Sequence, residues 1–395
     1  MKLTAREREI VALLRSDPML DATSLAERLG STRAAVSVHL SNLMKKGVVR
    51  GRGYVLRAEA DSVVVVGGAV LDTKVRTSGP PVLATSNPGT ASWTAGGVGR
   101  NIAENLARLG SPTLLVAAVG DDVAGETVLA RTTAAGVECG HVVVSTHPTG
   151  TYAAVLDDRG DLLVAVADMR ATDELTVADL AVVPSLLGGA DALVVDANLD
   201  ASVLRWLLSA AEEAGVIAVL EPVSVAKATS VASVLDGSVR LHTVTPNVDE
   251  LAALVGRPVP GTVDGVVEAA LVLHGRGVEH VWVRRGTRGS LLSIAPTATT
   301  AEGSADAVTA SGPRVVLVEA PATEVADVTG AGDSMTAGYV HALLAGDDAV
   351  EAARYGQVLA ALTCASVDTV RPDLTAALVA AHLTSTQPST EELHR

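Results

Sequence analysis

The sequence contains no phenylalanine and only two cysteines, Cys139 and Cys364. The lack of phenylalanine beside abundant alanine, valine and leucine is a compositional bias that indicates no function. Two cysteines cannot build a disulfide framework or a four-sulfur zinc site, so we expect both to be structural. No apolar run reaches the roughly 18 residues that span a bilayer, and the N-terminal MKLTAREREI lacks the apolar core of a signal peptide. We therefore expect a cytoplasmic protein that does not contact membranes.

Charge is distributed unevenly along the chain. Apolar residues make up 48% of the 395 residues and charged residues 19%, which suits a folded chain of two or three domains. The formal net charge of −15 divides into +6 over residues 1–57 and −21 over residues 58–395. A basic segment joined to an acidic body predicts a polyanion-binding module on a unit that does not bind nucleic acid. By charge alone, chance variation in a short segment remains an alternative.

Residues 1–57 combine helical spacing of apolar residues with a short hairpin pattern. The predicted elements are a helix opened by a Thr4–Glu7 capping box, a helix over 24–29 opened by a Ser24–Glu27 box, a helix from the Ser31 cap to Lys46, and strands 48–50 and 54–56 around Gly51-Arg52-Gly53. This order resembles the winged helix-turn-helix domains of bacterial regulators.

The winged-helix resemblance implies that the third helix enters the major groove of DNA. The expected base contacts are Thr32, Arg33, Ser37 and His39, and the expected phosphate contacts are Lys45, Lys46, Arg50 and Arg52. One such domain binds DNA weakly at physiological salt, which implies a dimer. A winged helix that serves only protein contact or dimerisation is the alternative.

The rest of the chain has the pattern of an α/β domain. After a polar joint at 58–61, apolar β-branched runs such as 63–66 and 114–119 alternate with helical stretches through residues 62–383, which predicts a largely parallel sheet. Segments of about 73–95 and 149–168 contain glycine, proline and short alternating stretches, which favour a small flanking sheet or lid. Residues 384–395 are predicted to form a flexible tail.

A glycine-rich turn near the C-terminus carries the strongest chemical signal. In DVTGAGDSMTAGY, which starts at Asp327, the glycines permit a tight turn and an apolar helix begins at once. The backbone N–H groups of Gly330, Ala331, Gly332 and Asp333 would then form an anion cradle at a helix N-terminus. Asp333 fits a general base for a hydroxyl that attacks a phosphoryl group held by those amides. The alternative is a plain turn with an acidic residue in the first helical turn.

Two long stretches resemble the signatures of the ribokinase-like (PfkB) family of sugar and nucleoside kinases. DVTGAGDSMTAGY is similar to the C-terminal signature, and TAGGVGRNIAENLARLGSPTLLVAAVGDDVAGE to the N-terminal one. The resemblance spans roughly residues 62–375. It implies a three-layer α/β/α sandwich with a small β lid, behind the winged helix-turn-helix domain. It also implies ATP as a cosubstrate with Mg²⁺, and a homodimer.

The resemblance assigns roles to individual residues. Asp333 would be the catalytic base, with Gly330, Ala331 and Gly332 as the anion hole. Within TPNVDE, Asn247 and Glu250 would place the magnesium ion and its waters, with Asn247 also on the nucleotide side. Within RRGTRGSLL, Gly286 and Gly289 would let the backbone approach ATP. Asp327 and Thr329 match positions that line a potassium site in some members.

The substrate end is expected around Asp72, Gly96, Gly97 and Asn101. A carboxylate such as Asp72 can accept two hydrogen bonds from a vicinal diol, which is how a protein clamps a sugar. The paired glycines would let the chain approach the sugar, and Asn101 would add an amide. For Asp72 taken alone, a helix cap or turn residue is the alternative. Thr85, Ser86, Asn87 and Asp168 are further candidates for contact with a base.

Within the family, the stretches SNPGTASWTAGGVGRNIAENLARLG and EPVSVAKA are most similar to pseudouridine kinases. Val98 stands where ribokinases carry lysine, whereas Val70 replaces the asparagine that close relatives tend to have. The resemblance implies phosphorylation of the 5′-hydroxyl of pseudouridine. One alternative is a ligand-sensing transcriptional regulator with weak or absent catalysis. Another is a kinase for ribose, adenosine or a different nucleoside.

Overall fold

The computed structural model of the chain describes residues 4–16, 20–45, 49–50, 55–56, 62–296, 312–386 and 388–393. The chain divides into two units, Met1–Ala60 and Asp61–Arg395. In the first unit the elements are α1 (Ala5–Ser16), α2 (Ala22–Arg28), α3 (Arg33–Lys45), and the antiparallel strands β1 (Val49–Arg50) and β2 (Val55–Leu56). Its apolar core is built from fully or almost fully buried side chains that include Ile10, Leu14, Leu25, Val36 and Leu43.

The helix caps of the first unit agree with the sequence only in part. The capping box of α1 is confirmed, because Thr4 N donates to Glu7 Oε2 at 2.7 Å and Glu7 N donates to Thr4 Oγ1 at 3.2 Å. The predicted cap of the second helix is wrong: Asp21 accepts from Ser24 N at 2.8 Å, so the helix starts a turn earlier. The predicted Ser31 cap is also wrong, since Thr32 Oγ1 accepts from Ala35 N at 3.2 Å.

The second unit is organised around a mixed sheet. Within the described residues this sheet has nine strands in the order β17-β16-β15-β14-β13-β12-β11-β3-β6. Their bounds are β3 (Val63–Val66), β6 (Thr113–Val116), β11 (Ala192–Asp196), β12 (Ile217–Glu221), β13 (Leu241–Val244), β14 (Val278–Arg284), β15 (Ser290–Ile294), β16 (Arg314–Val318) and β17 (Thr390–Leu393). Strands β6, β3, β11, β12, β13 and β14 run parallel to one another. Strands β15, β16 and β17 continue the sheet with antiparallel pairs.

Helices cover both faces of this sheet. The helices are α4 (Val98–Arg108), α5 (Val123–Ala134), α6 (Arg170–Asp173), α7 (Val183–Leu187), α8 (Ala201–Ala214), α9 (Val225–Val231), α10 (Val248–Val255), α11 (Val263–His274), α12 (Ala331–Ala345), α13 (Ala349–Cys364) and α14 (Ala376–Thr386). Side chains alternate along β3: Val64 and Val66 join a core with α7 to α11, whereas Val63 and Val65 join a core with α4, α5 and α12. The predicted three-layer α/β/α sandwich is therefore confirmed.

A smaller sheet stands beside the large one. Its strands follow the order β10-β9-β4-β5, with bounds β4 (Val70–Thr77), β5 (Gly89–Gly96), β9 (Gly150–Leu156) and β10 (Leu162–Asp168). Both segments that the sequence indicates for a lid contribute to it, because β4 pairs in parallel with β9. The predicted strand over 114–119 is divided between two strands. Its first residues belong to β6 and its last residues to β7 (Ala118–Gly120), which pairs with β8 (Val143–Ser145).

The C-terminal segment corrects another prediction. Residues 384–395 are not a flexible tail throughout, because α14 continues to Thr386 and β17 pairs antiparallel with β16. The physical reason is that Leu393 packs against the main core while Arg314 forms an ion pair of 3.0 Å with Glu392. In the described part of the chain, we find no helix with the length and apolar character needed to cross a membrane.

Candidate active site

Charged residues end three of the buried parallel strands. Asp196 closes β11, Glu221 closes β12 in register with it, and Arg284 closes β14. Apolar side chains fill β11 and β12 up to their last residues, and Val281, Trp282 and Val283 precede Arg284 in β14. In open α/β sheets, ligands bind at the carboxyl edge of the strands, which is where these three side chains emerge. The candidate site is therefore at this edge.

Asp333 lies in the first turn of α12, directly above the glycine turn. Gly330 caps the helix with φ +78°, a left-handed conformation that favours glycine. The Asp333 carboxylate accepts a hydrogen bond of 2.8 Å from Asn101 Nδ2, and Asn101 lies in the first turn of α4. Two helix N-termini from distant parts of the sequence are thus joined at one carboxylate.

The surroundings of Asp333 make it an unusually basic carboxyl group. Burial raises its pKa to about 8, and the neighbouring Glu221 and Asp196 carboxylates act in the same direction. The hydrogen bond from Asn101 and the positive charge of Arg284 oppose the shift. A carboxylate of this basicity can accept a proton from a hydroxyl far better than an ordinary aspartate.

The glycine turn is held tightly against its surroundings. A Cβ atom at Gly330 would collide with the Thr369 carbonyl oxygen, and one at Gly332 would collide with Nη1 of Arg284. A side chain at Gly330 would therefore collide with the backbone of Thr369, and one at Gly332 would require Arg284 to move. The backbone N–H groups at the start of α12 lie in this turn. Their position at a helix N-terminus suits an anion.

Asp72 lies on β4, close to the second glycine turn. In the chain it comes after β3, and β4 places it in the small sheet, in register with Thr94 of β5. A Cβ atom at Gly96 would collide with Asp72 Oδ2, and Gly97 has φ +97°, where a Cβ atom would collide with the Gly68 carbonyl oxygen. Burial raises the pKa of Asp72 to about 6, with Lys74 and Arg100 opposing the shift.

The buried carboxylate of Asp196 joins two glycine turns. Its Oδ2 accepts from Gly68 N at 2.8 Å and from Gly99 N at 2.7 Å, and its Oδ1 accepts from Asn198 N at 3.0 Å. Gly68 follows β3, and Gly99 lies at the start of α4. Asp196 therefore fixes the segment before Asp72 relative to the helix that carries Asn101.

Asn247 and Glu250 form a capping box at the start of α10. Asn247 N donates to Glu250 Oε2 at 2.8 Å, and Glu250 N donates to Asn247 Oδ1 at 2.9 Å. Burial raises the pKa of Glu250, opposed by Arg284. Within the described residues, Glu250 Oε1 accepts no hydrogen bond, and no cluster of three His, Cys, Asp or Glu side chains could hold a metal ion. The pair thus fits a magnesium ion held mainly by phosphates and water.

Arg284 connects the carboxylates of this edge. Its Nη2 donates to Glu221 Oε1 at 2.6 Å and to Glu250 Oε2 at 3.2 Å, and its Nη1 donates to Glu221 Oε2 at 3.2 Å. Glu221 also accepts hydrogen bonds from the hydroxyls of Thr245 at 2.7 Å and Thr336 at 2.9 Å. Burial alone would lower the pKa of Arg284, but the two glutamates hold it above its ordinary value.

A cavity of about 450 Å³ opens beside Arg284 and Gly332. Its lining also includes Gly286 and Gly289, and apolar residues such as Val325, Met335, Ala360 and Cys364. Gly289 has φ +71°, and a Cβ there would collide with the Val318 carbonyl oxygen. A mainly apolar slot with one cationic end suits a ligand with an aromatic base and phosphates.

Asp327 and Thr329 lie in the loop before the anion cradle. Asp327 Oδ1 accepts from both the backbone N–H of Thr329, at 2.8 Å, and its hydroxyl, at 2.7 Å. Asp327 Oδ2 lies 3.5 Å from Nζ of Lys74, a residue of β4. The carboxylate expected at a potassium site thus already has a positively charged neighbour from the small sheet.

Comparison with known proteins decides the family. A family model described as pfkB family carbohydrate kinase matches residues 60–376, and one described as winged helix-turn-helix DNA-binding matches residues 3–50. The chain belongs to the pfkB family. It is 33% identical to the "uncharacterized sugar kinase YeiI" of Escherichia coli, with 94% of this chain and 96% of the relative covered.

Two further similarities refine the comparison. The pseudouridine kinase of Escherichia coli is 34% identical, and the alignment covers 81% of this chain and 96% of that protein. A solved carbohydrate kinase from Agrobacterium tumefaciens superposes with a TM-score of 0.70 at 30% identity, covering 84% of this chain and all of that one. This pfkB-family chain is therefore a sugar or nucleoside kinase, a phosphotransferase acting on a hydroxyl group, and kinases of this fold bind ATP.

Several sequence-predicted residues lie apart from the kinase site or have other partners. Asn101, expected to contact the substrate, donates its amide to Asp333. Among the candidate base contacts, the side-chain amide of Asn87 forms hydrogen bonds with the backbone of Val82 and Thr85 in its own loop. Asp168 forms an ion pair of 2.6 Å with Arg170. Val70, which replaces the asparagine of close relatives, is buried, and a Cβ at Gly150 would meet its Cγ1.

The predicted DNA contacts belong to the other unit. Arg33 and Ser37 are exposed on α3, together with Thr32 just before it, and His39 is half-buried. Lys46 and Arg52 lie outside the described residues, as do the side chains of Lys45 and Arg50. The described part of α3 thus presents polar residues to solvent along the helix that the winged-helix fold uses for recognition.

Sequence reasoning missed Asp196, Glu221 and Arg284. Their signal was present, because each is a charged residue that directly follows an apolar run at the end of a strand: ALVVD, IAVLE and VEHVWVR. Charged residues at the carboxyl ends of parallel strands meet at one edge of the sheet. The three residues were therefore candidates for the site of this pfkB-family kinase.

Proposed function

We propose that this chain transfers the γ-phosphoryl group of ATP to the 5′-hydroxyl of pseudouridine. The hydrogen bond between Asn101 and Asp333 carries the proposal, because it joins the start of α4 to a basic carboxyl group in the first turn of α12. The similarity to a pseudouridine kinase over 81% of the chain supports the choice of substrate. Asp72, on the other side of the Gly96–Gly97 turn, would hold the sugar hydroxyls.

In this proposal each residue of the site has a distinct task. Asp333 accepts the proton of the 5′-hydroxyl as its oxygen attacks, and the N–H groups of Gly330, Ala331 and Gly332 stabilise the charge on the phosphoryl oxygens. The cavity between Gly286 and Gly289 takes the nucleotide. Asn247 and Glu250 would hold a magnesium ion through its waters, which would neutralise phosphate charge when bound.

Potassium enters the proposal through Asp327 and Thr329. Because the Lys74 ammonium lies 3.5 Å from the Asp327 carboxylate, this loop already has a cation nearby. We expect the replacement of potassium by sodium to change turnover by less than about threefold, since the lysine charge is present in either salt. A larger loss in sodium would show that a bound potassium ion is needed.

We also propose that the first unit binds DNA, so that the kinase acts in a transcriptional regulator. The match to a winged helix-turn-helix model and the charge of +6 over residues 1–57 support this role.

A homodimer would supply two recognition helices for adjacent half-sites. Exposed apolar side chains on the edge strand β10, including Leu162, Val164 and Val166, support contact between two copies there. Sedimentation of wild type and Val166→Glu tests this contact, and a monomer in both would contradict the proposed homodimer.

The experiment that tests the kinase uses the full chain with ATP and Mg²⁺. Pseudouridine, uridine, adenosine, guanosine and ribose are offered separately, and the phosphorylated product is identified by mass spectrometry. We expect pseudouridine 5′-phosphate as the main product, and none from Asp333→Asn, which serves as the matched control. If only ribose or adenosine is phosphorylated, the substrate is wrong. If no acceptor is phosphorylated, the ligand-sensing regulator replaces the kinase.

A further inference from the structure

Arg284 is placed at the junction of the nucleotide cavity and the anion cradle. As the last residue of β14, it donates its backbone N–H to the Pro246 carbonyl at 2.8 Å and bridges to Asn247 at the start of α10. Its side chain lines the cavity together with Gly286, Ala331 and Gly332. The backbone of Arg284 is therefore tied to the magnesium-side helix, and its side chain reaches toward α12.

The guanidinium group lies directly against the anion cradle. The collision of a Cβ atom at Gly332 would be with Nη1 of Arg284, so the cation occupies the space beside that residue. Of its side chain, 16% is exposed, compared with 3% for Glu221 and 5% for Glu250. The glutamates thus lie on the protein side of the guanidinium, and the exposed part of the arginine faces the cavity.

The arginine is also held in a fixed orientation. Glu221 binds both Nη atoms and is itself held by the hydroxyls of Thr245 and Thr336. Within the described residues, Arg284 Nε donates no hydrogen bond, and Nη1 donates only one. A fixed cation with spare donors, pointing at a position where negative charge develops, needs no reorganisation during the reaction.

We propose that Arg284 is a further catalytic residue, whose guanidinium group donates hydrogen bonds to the transferring phosphoryl group beside Gly332. The inference rests on the proposed phosphoryl transfer. In that step a bond forms between the acceptor oxygen and the γ-phosphorus, the bond from phosphorus to the β,γ-bridging oxygen breaks, and ADP leaves. The acceptor proton goes to Asp333, while Arg284 stays protonated throughout. Arginine fingers in other phosphotransferases place a positive charge beside the negatively charged equatorial oxygens of the transferring phosphoryl group.

The competing explanation is that Arg284 only neutralises Glu221 and Glu250. Arg284→Met alone does not separate the two, because it leaves buried carboxylates without a cation and can destabilise the fold. The double variant Arg284→Met with Glu221→Gln removes one charge of each sign. Glu250 keeps its charge in this variant, so Arg284→Lys, which retains a cation beside both glutamates, is compared as well: if neutralisation is the whole role, Arg284→Lys keeps wild-type turnover.

The test compares turnover and thermal stability of the full chain. We expect the double variant to fold, to turn over at least about 100-fold more slowly than Glu221→Gln, and to keep its KM for the acceptor within about fivefold. Arg284→Lys keeps a charge between the glutamates but offers a single point donor, and we expect at least a 10-fold loss in kcat. The matched control is Arg205→Met. It removes an exposed arginine of α8 that pairs with Asp236, and it should keep wild-type kcat.

Each outcome decides one question. If wild type phosphorylates no acceptor, the proposed function fails rather than the role of Arg284. If wild type is active and the double variant turns over within threefold of Glu221→Gln, Arg284 is not catalytic. Should the double variant fail to fold, Arg284→Lys decides: wild-type kcat in that variant also overturns the proposal, and a loss confined to kcat supports it.

Discussion

Asp333 illustrates how neighbours set the chemistry of a single carboxyl group. Burial is the main cause of its raised pKa, Glu221 and Asp196 add negative charge nearby, and Asn101 supplies one hydrogen bond. The charged form of Asp333 is therefore costly, and a carboxyl group that is costly to ionise is a better base once it is ionised. The raised pKa that makes Asp333 a better base also makes its ionised form unfavourable for the stability of the folded protein.

The first prediction concerns pH. With the pKa of Asp333 at about 8, the general base is protonated in acid, so kcat/KM for the acceptor should rise with pH and level off above about 8. Glu221→Gln removes a negative charge that raises this pKa, so its rising limb should move to lower pH. Initial rates from pH 5 to 10 measure both profiles. A limb that does not move in Glu221→Gln would contradict the assignment of the base.

The second prediction separates catalysis from stability. Asp333→Asn should lower kcat by about 10²–10⁴-fold, because the base is lost. It should also raise the melting temperature. The pKa of Asp333 in the folded protein lies above its ordinary value, so folding favours the protonated form, and the wild type loses stability as the pH rises toward 8. The advantage of the variant should grow between about pH 4 and 8 and stay constant above. Calorimetry measures it, and a melting temperature below wild type at pH 9 would contradict it.

At the scale of elements, the strand ends of the sheet hold the site together. Asp196, at the end of β11, reaches the turn after β3 and the start of α4 with one oxygen. Because that turn leads into β4, which carries Asp72, and α4 carries Asn101, the same carboxylate positions both halves of the candidate site. A loop alone could not fix these two residues to each other.

The third prediction follows from this carboxylate. Asp196→Asn replaces one acceptor by an NH₂ group, which leaves a backbone N–H donor facing another donor in a buried space. We expect a loss of about 1–3 kcal/mol in the free energy of unfolding and a rise of roughly tenfold in the KM for the acceptor. Asp200→Asn, at the exposed cap of α8, is the matched control and should change neither. Wild-type values for Asp196→Asn would show that the carboxylate charge is not needed.

Elements were easier to predict than their junctions. The alternation of β-branched runs and helical stretches indicated the layered α/β body, and DVTGAGD indicated the cradle around Gly330. The order of strands in the sheet does not follow from the chain, because β3 lies between β6 and β11 through long-range pairing. Without that order, nothing in the sequence brings Glu221 next to Arg284. The interactions of these two residues were therefore out of reach.

At the scale of the whole molecule, the charge difference found in the sequence corresponds to two separately packed units. Their boundary was accessible to sequence reasoning because composition and charge change together near residue 60. Caps were harder: Asp21 and Thr32 replaced the expected serines, since several neighbouring residues could each accept the first N–H of a helix.

The fourth prediction tests the basic unit in the full chain. Arg33→Ala removes an exposed charge at the start of α3, so DNA affinity should fall roughly tenfold and the slope of log Kd against log salt should decrease by about one. Fluorescence anisotropy on DNA from upstream of the gene, at several salt concentrations, measures both. Arg6→Ala on α1, which removes an arginine paired with Glu9, should affect DNA binding less, and kcat should stay unchanged in both variants. Equal losses in the two variants would contradict a recognition role for α3.

The last strand of the large sheet has a consequence for how the molecule behaves in solution. Residues Thr390–Leu393 occupy the backbone hydrogen-bonding groups of β16, with Leu393 opposite Val315. A chain shortened before Ser389 would present an open apolar strand edge to other molecules, and such edges recruit further strands. We therefore expect removal of residues 389–393 to promote self-association.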